Sequence, residues 1–392
     1  MAQKQSFSRH LLGIYDRIFA STWPAWIGGL LLGITNVLIF TYRAPWFIYG
    51  GVRLWGLWLF KILGITLGGE IDAPWLNTGS LLDLGIIFGS FMSTLFLKAF
   101  RIRFPRRKIR LIQGFAGGLL MGVGTMLAPG CNIGGYFSAI SALSLSGFVL
   151  FFGLLAGAYT GVRLVIWQTK LEVSKIGLLS QKAHQTSYSI RSEKVQPISG
   201  ALALVIGVII AIYLSAREQA LGIYFLFGMT FGYLLQKSQF CLASSFRDLF
   251  LTGSGKIARG AILGIVIGVF GFSILQGTGM RSVFLLPVGW HTIIGGYIFG
   301  LGMVIAGGCA SGMLFRAGEG VVQSMLAILG GMISSALFPV VSEAVGLSFG
   351  PNLWLVDLVG WPGAIITSIC FLGTLFIVTE WVEMRQKGYV DD

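Results

Sequence analysis

The sequence predicts an all-α fold, a polytopic transmembrane helical bundle with an inverted internal repeat and broken, re-entrant half-helices at its Gly-Cys motifs. Hydrophobic residues make up 55% of the 392 residues and charged residues only 11%, whereas soluble domains carry roughly a quarter charged residues. Apolar runs of about 17–23 residues recur along the chain, each long enough to cross a bilayer core of roughly 30 Å. A segment rich in glycine and containing one cysteine occurs twice.

Positive charge lies between the apolar runs rather than on one folded surface. The net charge is +13, and the segment 101–110, "RIRFPRRKIR", holds six basic residues and no acid. The segment 168–197 holds five basic residues against two glutamates. This distribution is typical of cytoplasmic loops in membrane proteins. Neither interleaved aromatic residues nor a nucleic-acid-binding motif accompanies it, so nucleic acid is not an expected partner.

The apolar runs predict ten spans, with the N-terminus and the C-terminus both in the cytoplasm of a cell with an inner (plasma) membrane. The N-terminal segment before the first span has no short apolar core with a small-residue cleavage site, so we expect the first span to be an uncleaved signal anchor. The stretch 46–68 contains Arg53 and Lys61 among bulky aromatic residues. If it crossed the membrane, the basic segment 101–110 would lie outside the cytoplasm, so we expect a helix at the outer interface. The predicted spans are 24–42, 80–98, 111–129, 147–167, 198–215, 220–236, 258–277, 290–306, 323–343 and 360–382.

These spans divide the chain into two membrane repeats with connecting pieces. The predicted parts are a cytoplasmic N-terminus (1–23), a first membrane repeat (24–167), a basic cytoplasmic linker (168–197), a connecting transmembrane helix (198–219), a second membrane repeat (220–382) and a cytoplasmic tail (383–392). The linker is expected to be a solvated tether, and the alternatives are a contact with anionic lipid headgroups or with a soluble sulfur-accepting protein.

The repeat is visible when 117–135, "GGLLMGVGTMLAPGCNIGG", is placed over 295–313, "GGYIFGLGMVIAGGCASGM", at an offset of 178 without a gap. The same offset places 80–98 over 258–276, so the duplication extends beyond the motif. Under the predicted topology the two copies run in opposite directions, an arrangement typical of transporters. The identical pairs are Gly117/Gly295, Gly118/Gly296, Gly122/Gly300, Gly124/Gly302, Ala128/Ala306, Gly130/Gly308, Cys131/Cys309 and Gly134/Gly312.

Each copy places a cysteine between glycines at the end of an apolar run. Glycine tolerates backbone angles outside the helix, and unpaired backbone in a membrane is stable only beside protein or a cavity. We therefore expect a break at each motif, followed by a half-helix whose free N–H groups favour an anion. Cys131 and Cys309 are predicted to face one shared path, with Gly130, Gly134, Gly308 and Gly312 as supporting residues.

A third cysteine, Cys241, lies in "QKSQFCLASSFRDLF" at 236–250, and alignment of the first half places Trp46 at the equivalent position. Sulfur is polarisable and a weak hydrogen-bond donor, so neutral thiols suit a soft sulfur-containing anion such as thiosulfate. Three weak sites would allow entry as well as exit. Cys370 is expected to serve packing alone.

The charged residues near these motifs have two interpretations. Arg316 and Glu319 could form an interfacial ion pair or gather an anion, and Arg247, next to Asp248, could anchor a helix end. No catalytic residue, metal site or cofactor is predicted, because the three histidines are widely separated and the four cysteines form no CxxC pair. The acidic residues near the spans leave proton coupling open without supporting it.

The segments "QKSQFCLASSFRDLF", "GGYIFGLGMVIAGGCASGMLFRAGEG" and "GGLLMGVGTMLAPGCNIGG" resemble the signature of the YeeE/YedE family of sulfur-transport membrane proteins. The resemblance implies thiosulfate uptake, with three motif cysteines that match Cys131, Cys241 and Cys309 along the route. The "GCNIGG" element stands in the first half here, whereas it comes late in the family's thiosulfate transporters. This permuted order is closer to the YedE-type branch, which is linked to selenium metabolism.

The predicted function is therefore uptake of thiosulfate, or a related reduced sulfur anion, into the cytoplasm along an apolar path lined by three thiols. The expected partners are this small anion and membrane lipid. Two alternatives stay open: a transporter of a selenium species with the same architecture, and a membrane thiol redox or sulfurtransferase component. The absence of a CxxC motif and of any quinone, haem or flavin motif counts against the redox alternative.

Overall fold

The computed structural model describes residues 21–65, 67, 71–105, 107–176, 187–189 and 195–388. Most of the predicted N-terminal segment, much of the predicted linker and the last four residues lie outside this described part. The helices are α1 (Ala25–Tyr42), α2 (Tyr49–Ile62), α3 (Thr78–Phe96), α4 (Ile109–Leu127), α5 (132–141), α6 (Leu145–Ile176), α7 (Val195–Arg217), α8 (Gln219–Ser238), α9 (Leu242–Leu251), α10 (Lys256–Gly277), α11 (Trp290–Ala306), α12 (Ala310–Gly318), α13 (Val322–Val345) and α14 (Leu355–Gly388).

Short elements complete the described chain. Helix α5 consists of a π-helical stretch, Asn132–Ser138, that continues into an α-helical turn, Ala139–Ser141. A 3₁₀ turn, Pro74–Leu76, precedes α3. Two three-residue strands, β1 (Arg101–Arg103) and β2 (Ser187–Ser189), pair antiparallel.

The all-α membrane fold is confirmed. Within the described residues, nine helical segments are long and apolar enough to span a membrane, and α11 and α12 together count as one of them. Helix α8, predicted as a tenth span, has 20 residues but is not among the nine. Most of its length is buried against other helices, and Gln236 and Lys237 lower the hydropathy of its C-terminal end.

The order of long and short helices is the same in two stretches of the chain. In 25–176 the long helices α1 and α3 flank the shorter α2, and the long helices α4 and α6 flank the short α5. In 219–345 the same order recurs, with α9 and α12 as the short helices. The packing partners correspond as well: α3 packs on α8 as α10 packs on α1, and α13 packs on α4 as α6 packs on α11.

Helices α4 and α11, which carry the two copies of the glycine motif, pack directly against each other. A Cβ atom added at Gly117 would lie 2.5 Å from the backbone nitrogen of Ala306, and one added at Gly124 would lie 2.5 Å from that of Phe299. Residue numbers rise along one helix as they fall along the other, so the two helices cross antiparallel. Glycine is required at these positions because any side chain would overlap the backbone of the facing helix.

The expectation that 46–68 lies at the outer interface is wrong for the first part of this stretch. Tyr49 and Val52 at the start of α2 are 1% and 0% exposed, and α2 packs on α13 and α3. Only the end of the helix is open, with Ile62 at 76% exposure. Of the aromatic residues that suggested an interfacial helix, Trp46 and Tyr49 are buried, and Trp55, Trp58 and Phe60 are partly buried.

The two basic segments lie together. Strand β1 belongs to the basic segment 101–110, and β2 belongs to the predicted linker, so their pairing brings both to one side of the molecule. The backbone N–H of Arg103 also donates to the carbonyl of Gly320, 2.8 Å away, between α12 and α13. The end of α12 therefore faces the same side as the basic segments.

Candidate functional site

Each of the three motif cysteines is the residue immediately before a short helix. Cys131 precedes α5, Cys241 precedes α9 and Cys309 precedes α12, and all three have extended backbone angles. The first N–H groups of a helix lack partners within the helix, so each thiol lies where free donors and the positive end of a helix dipole are found. All three cysteines are fully buried, at 0% exposure.

Cys241 and Cys309 are in direct contact. Their sulfur atoms lie 3.4 Å apart, well beyond the 2.05 Å or so of a disulfide bond, and both thiols are free. The Cys309 sulfur also accepts a hydrogen bond from the backbone N–H of Gly312 at 3.4 Å and lies 3.3 Å from the Ser311 hydroxyl. The thiol thus acts as the N-cap of α12, a position where serine or threonine is more common.

Gly312 allows this contact. A Cβ atom at Gly312 would lie 2.7 Å from the Cys241 sulfur and 3.4 Å from the Cys309 sulfur. Gly308 differs, because the nearest atom to a Cβ added there would be 3.5 Å away. Of the two glycines predicted to support Cys309, only Gly312 is therefore required by the space around it.

The glycines around Cys131 are both tightly packed. A Cβ atom at Gly130 would lie 2.6 Å from the Cα of Gly135, and one at Gly134 would overlap the ring of Phe47. The segment before α2 is thereby pressed against the start of α5. The Cys131 thiol faces the backbone N–H groups of Ile48 and Gly134.

Tyr49 and Asn132 lie close to the cysteines. Tyr49 is close enough to Cys131 and Cys309 to interact with both thiols electrostatically, and the side chain of Asn132 approaches Cys309 without forming a hydrogen bond to it. The Tyr49 hydroxyl and both polar atoms of the Asn132 amide are buried without a hydrogen-bond partner in the described part of the chain. Unsatisfied buried donors are costly, so this region holds polar groups that a ligand could satisfy.

Trp46, which the alignment pairs with Cys241, lies three residues before α2, whereas Cys241 lies immediately before α9. Trp46 is 1% exposed and stacks on Phe231 with ring centroids 4.0 Å apart. Its backbone N–H donates to the Asn36 side-chain oxygen at 2.9 Å, and its indole N–H has no partner among the described residues. The fourth position in the pattern is thus an aromatic ring in place of a thiol.

The charged residues predicted near the site are occupied elsewhere. Arg316 donates to the carbonyl of Gly307, and the carboxylate of Glu319 accepts hydrogen bonds from Gln236 at 3.2 Å and Gln239 at 2.8 Å. The interpretation of Arg316 and Glu319 as an ion pair is therefore wrong, because each has found a different partner. Arg316 does lie close enough to interact with Cys241.

Arg247, predicted to anchor a helix end, instead lies in the middle of α9. Arg247 pairs with Asp248 at 2.8 Å and donates to the Ser244 hydroxyl at 3.2 Å. Cys370 lies on α14 and is exposed, unlike the three motif cysteines. The described residues contain no group of three or more His, Cys, Asp or Glu side chains placed to hold a metal ion.

The structure also contains an apolar cavity of about 80 Å³ that is separate from the cysteines. It is bordered by Tyr136, one turn from Cys131 in α5, by Phe246 in α9 and by Thr379 in α14. No cysteine lines it. Its lining suits hydrocarbon rather than an anion.

Sequence reasoning missed Tyr49 and Asn132 as members of the site. Asn132 stands directly after Cys131 in "GCNIGG", and a polar amide at a membrane break was a usable signal. Tyr49 was not recognised because its segment was assigned to the membrane surface. Its approach to the cysteines depends on contacts between α2 and distant helices, which spacing along the chain does not reveal.

These features define an α-helical multi-pass membrane protein with a buried, thiol-containing site at the starts of short helices. The chain belongs to the Sulphur transport family, whose family model matches residues 2–160 and 237–390. The resemblance to YeeE/YedE proteins is thereby confirmed.

The chain is similar to two YedE proteins over most of its length and to a thiosulfate transporter over less than half of it. It is 28% identical to the probable transporter YedE of Salmonella typhimurium over 354 residues, with 86% of each chain covered. The YedE of Escherichia coli K12 is 27% identical over 356 residues, again with 86% of each chain covered. The thiosulfate transporter TsuA of E. coli K12 is 37% identical over 169 residues, which cover 41% of this chain and 46% of TsuA.

Proposed function

We propose that the protein carries thiosulfate, or a closely related reduced sulfur anion, into the cytoplasm along a route lined by Cys131, Cys241 and Cys309. The observation that carries this proposal is the 3.4 Å contact between the Cys241 and Cys309 sulfur atoms at the starts of α9 and α12. Family membership and the likeness to TsuA support a sulfur anion as the substrate.

The chemistry of the site suits a soft anion. Helix starts supply partial positive charge without a fixed counter-ion, and thiols contact a terminal sulfur through polarisable, weakly hydrogen-bonding groups. Arg316, which donates to the Gly307 carbonyl and lies close enough to interact with Cys241, adds positive charge beside this pair of thiols. The three thiols thus provide resting points along the route, with Tyr49 and Asn132 available to donate hydrogen bonds to the anion's oxygens.

The described conformation is closed, because all three thiols are at 0% exposure. Transport requires that the site open toward each side in turn. The antiparallel crossing of α4 and α11 supports a two-fold relation between the halves, in which equivalent movements open opposite sides.

The test is uptake of radiolabelled thiosulfate into cells that lack their own thiosulfate importers. Cys131→Ala, Cys241→Ala and Cys309→Ala are each expected to lower the initial rate at least tenfold at matched membrane expression, and Cys370→Ala to leave it unchanged. Competition by selenite and related anions in the same assay separates a sulfur carrier from a selenium carrier. Wild-type rates in all three single variants would overturn the proposed route.

The contact between Cys241 and Cys309 also favours a second candidate, a membrane component of thiol redox chemistry. If the two sulfur atoms moved closer together, an electron acceptor could oxidise the thiols to a disulfide and take up the two electrons and two protons released. Alkylation of the purified protein at rest and during thiosulfate turnover, followed by mass spectrometry, discriminates between the two candidates. Free thiols at both positions during thiosulfate turnover support transport, and a linked pair that forms and breaks during turnover supports redox chemistry.

A further inference from the structure

Asp83 is a buried carboxyl group without a partner, inside a membrane-spanning helix. It lies in the second turn of α3 and is 0% exposed. Neither of its carboxyl oxygens makes a hydrogen bond, and no ion pair reaches it from any described residue. An ionised carboxylate in such a place is strongly disfavoured, so the group must either carry a proton or meet a cation.

The carboxyl group faces the start of α2, beside the cysteine route. A Cβ atom at Gly51 would collide with a carboxyl oxygen of Asp83, and the backbone N–H of Val52 faces the same group. Tyr49 and Cys131 both interact electrostatically with Asp83. Asp83 is therefore close enough to the proposed anion route for its charge to affect an anion there.

Several charged groups on the elements packed against α3 bond to other partners, and none that the structure describes forms an ion pair with Asp83. Arg316 bonds to Gly307, Glu319 bonds to two glutamines, and Arg217 bonds to the Tyr213 hydroxyl. Arg53, one turn after Tyr49, is partly buried and forms no ion pair with a described residue. The titratable groups on these elements are Tyr49, Arg53 and Lys61 on α2, Tyr213 and Arg217 on α7, Tyr224, Tyr233 and Lys237 on α8, and Arg316 and Glu319 on α12.

An anion and a proton would help each other to bind at this place. A negative Asp83 repels a dianion near Cys131 and Tyr49, and repulsion is strong where water is excluded. Protonation removes this repulsion. By thermodynamic linkage, an occupied anion site then raises the affinity of Asp83 for a proton by the same factor that the proton raises the affinity for the anion.

We propose that Asp83 is the proton-binding residue of a proton–anion symport, an inference that rests on the proposed transport function. A proton from the entry side binds a carboxyl oxygen of Asp83, the anion enters, and both leave to the opposite side, so that one proton moves per anion. No redox or covalent step is involved. One proton offsets one of the two negative charges of the dianion, so a pH gradient, acid outside, favours uptake, whereas an inside-negative membrane potential opposes the remaining negative charge.

The experiment uses the purified full-length protein in liposomes that contain a trapped pH-sensitive dye, with the membrane potential clamped by potassium and valinomycin and no sodium present. An inward thiosulfate gradient is expected to acidify the lumen of wild-type liposomes. A pH gradient of one unit, acid outside, is expected to drive accumulation of labelled thiosulfate up to about tenfold. Asp83→Asn is expected to lose both responses, and exchange of labelled for unlabelled thiosulfate by this variant is expected not to vary between pH 6 and 8.

Asp72→Asn is the matched control, because Asp72 is an exposed aspartate just before α3. It is expected to keep the wild-type proton response. Three outcomes overturn the coupling: wild-type uptake without acidification, uptake that requires sodium, or unchanged acidification in Asp83→Asn. Where Asp83→Asn fails to fold, wild-type uptake without acidification still overturns the coupling. Absence of thiosulfate exchange by the wild type would instead refute the proposed function.

Discussion

Gly312 lies so close to Cys241 that a Cβ atom on the glycine would stand 2.7 Å from the cysteine's sulfur. The two residues belong to different helices, 71 positions apart in the sequence, and the missing side chain is what lets the two thiols meet. The contact between Cys241 and Cys309 therefore depends on a glycine whose backbone N–H also donates to the Cys309 sulfur.

Gly312→Ala is expected to separate the Cys241 and Cys309 sulfurs and to reduce thiosulfate uptake at least tenfold. Overpacking of this size costs about 1–3 kcal/mol of stability as well. Gly308→Ala is the control, because a Cβ atom there finds its nearest neighbour at 3.5 Å. Initial uptake rates at matched expression give the measurement, and equal losses in the two variants would show that the space around the sulfurs is irrelevant.

Cys309→Ser and Cys309→Ala separate capping from contact with substrate. Serine is a strong N-cap residue, so Cys309→Ser should keep the bond from the Gly312 N–H and keep the thermal stability of the protein. Cys309→Ala should lose this bond, which costs about 1 kcal/mol. Both variants are expected to lose uptake, because neither has a sulfur. Full uptake by Cys309→Ser would show that the thiol serves only as a cap.

The crossing of α4 and α11 predicts a large effect of a single methyl group. Gly124→Ala places a Cβ atom 2.5 Å from the backbone nitrogen of Phe299, and the helices must separate at a cost of about 1–3 kcal/mol. Gly373→Ala, on α14, is the control, since nothing lies within 4 Å of its added Cβ. Thermal unfolding in detergent measures the difference, and an unfolding temperature for Gly124→Ala equal to that of Gly373→Ala would contradict the close crossing.

Ion pairs at the ends of the helices differ in burial, and this predicts different contributions. Arg259 bonds to Glu380 at 2.6 Å and to Glu383 at 2.9 Å, with only 21% of its side chain exposed. Arg259→Ala is expected to lower the free energy of unfolding by about 2 kcal/mol. Arg43, 3.9 Å from Glu218 and 61% exposed, is expected to show no measurable change on substitution by alanine. Denaturant titration of both variants tests this order.

The exposure of the four cysteines predicts their reactivity. Cys370 is exposed, and the other three are buried, so N-ethylmaleimide should add one label to the folded protein in detergent. After denaturation under argon the count should rise to four. Peptide mapping identifies the sites, and rapid labelling of Cys131, Cys241 or Cys309 in the folded protein would contradict the closed conformation.

Much of the helix pattern could be predicted from the sequence. Apolar runs and the offset of 178 placed the long helices and the breaks before α5 and α12 correctly, because a membrane constrains length and hydropathy strongly. The same logic failed for α2. Arg53, Lys61 and the surrounding aromatic residues look alike in a surface helix and in a short helix packed inside, and only contacts with α3 and α13 decide between them.

The site was partly accessible to the same reasoning. The glycine–cysteine repeat pointed to Cys131 and Cys309, but it gave no sign that Cys309 would contact Cys241 rather than its own repeat partner. That contact arises from the approach of α9 to α12, and side-chain size at Gly312 controls it. Likewise, Arg316 and Glu319 bond to residues at the ends of α11 and α8, and the local sequence around either residue does not predict these partners.

A structure of the protein with thiosulfate bound tests the central claim most directly. We expect density for the anion at the starts of α5, α9 and α12, with its terminal sulfur in van der Waals contact with at least two of the Cys131, Cys241 and Cys309 sulfurs. Density elsewhere in the protein, or a bound anion whose sulfur contacts none of the three thiols, would contradict a route lined by cysteine.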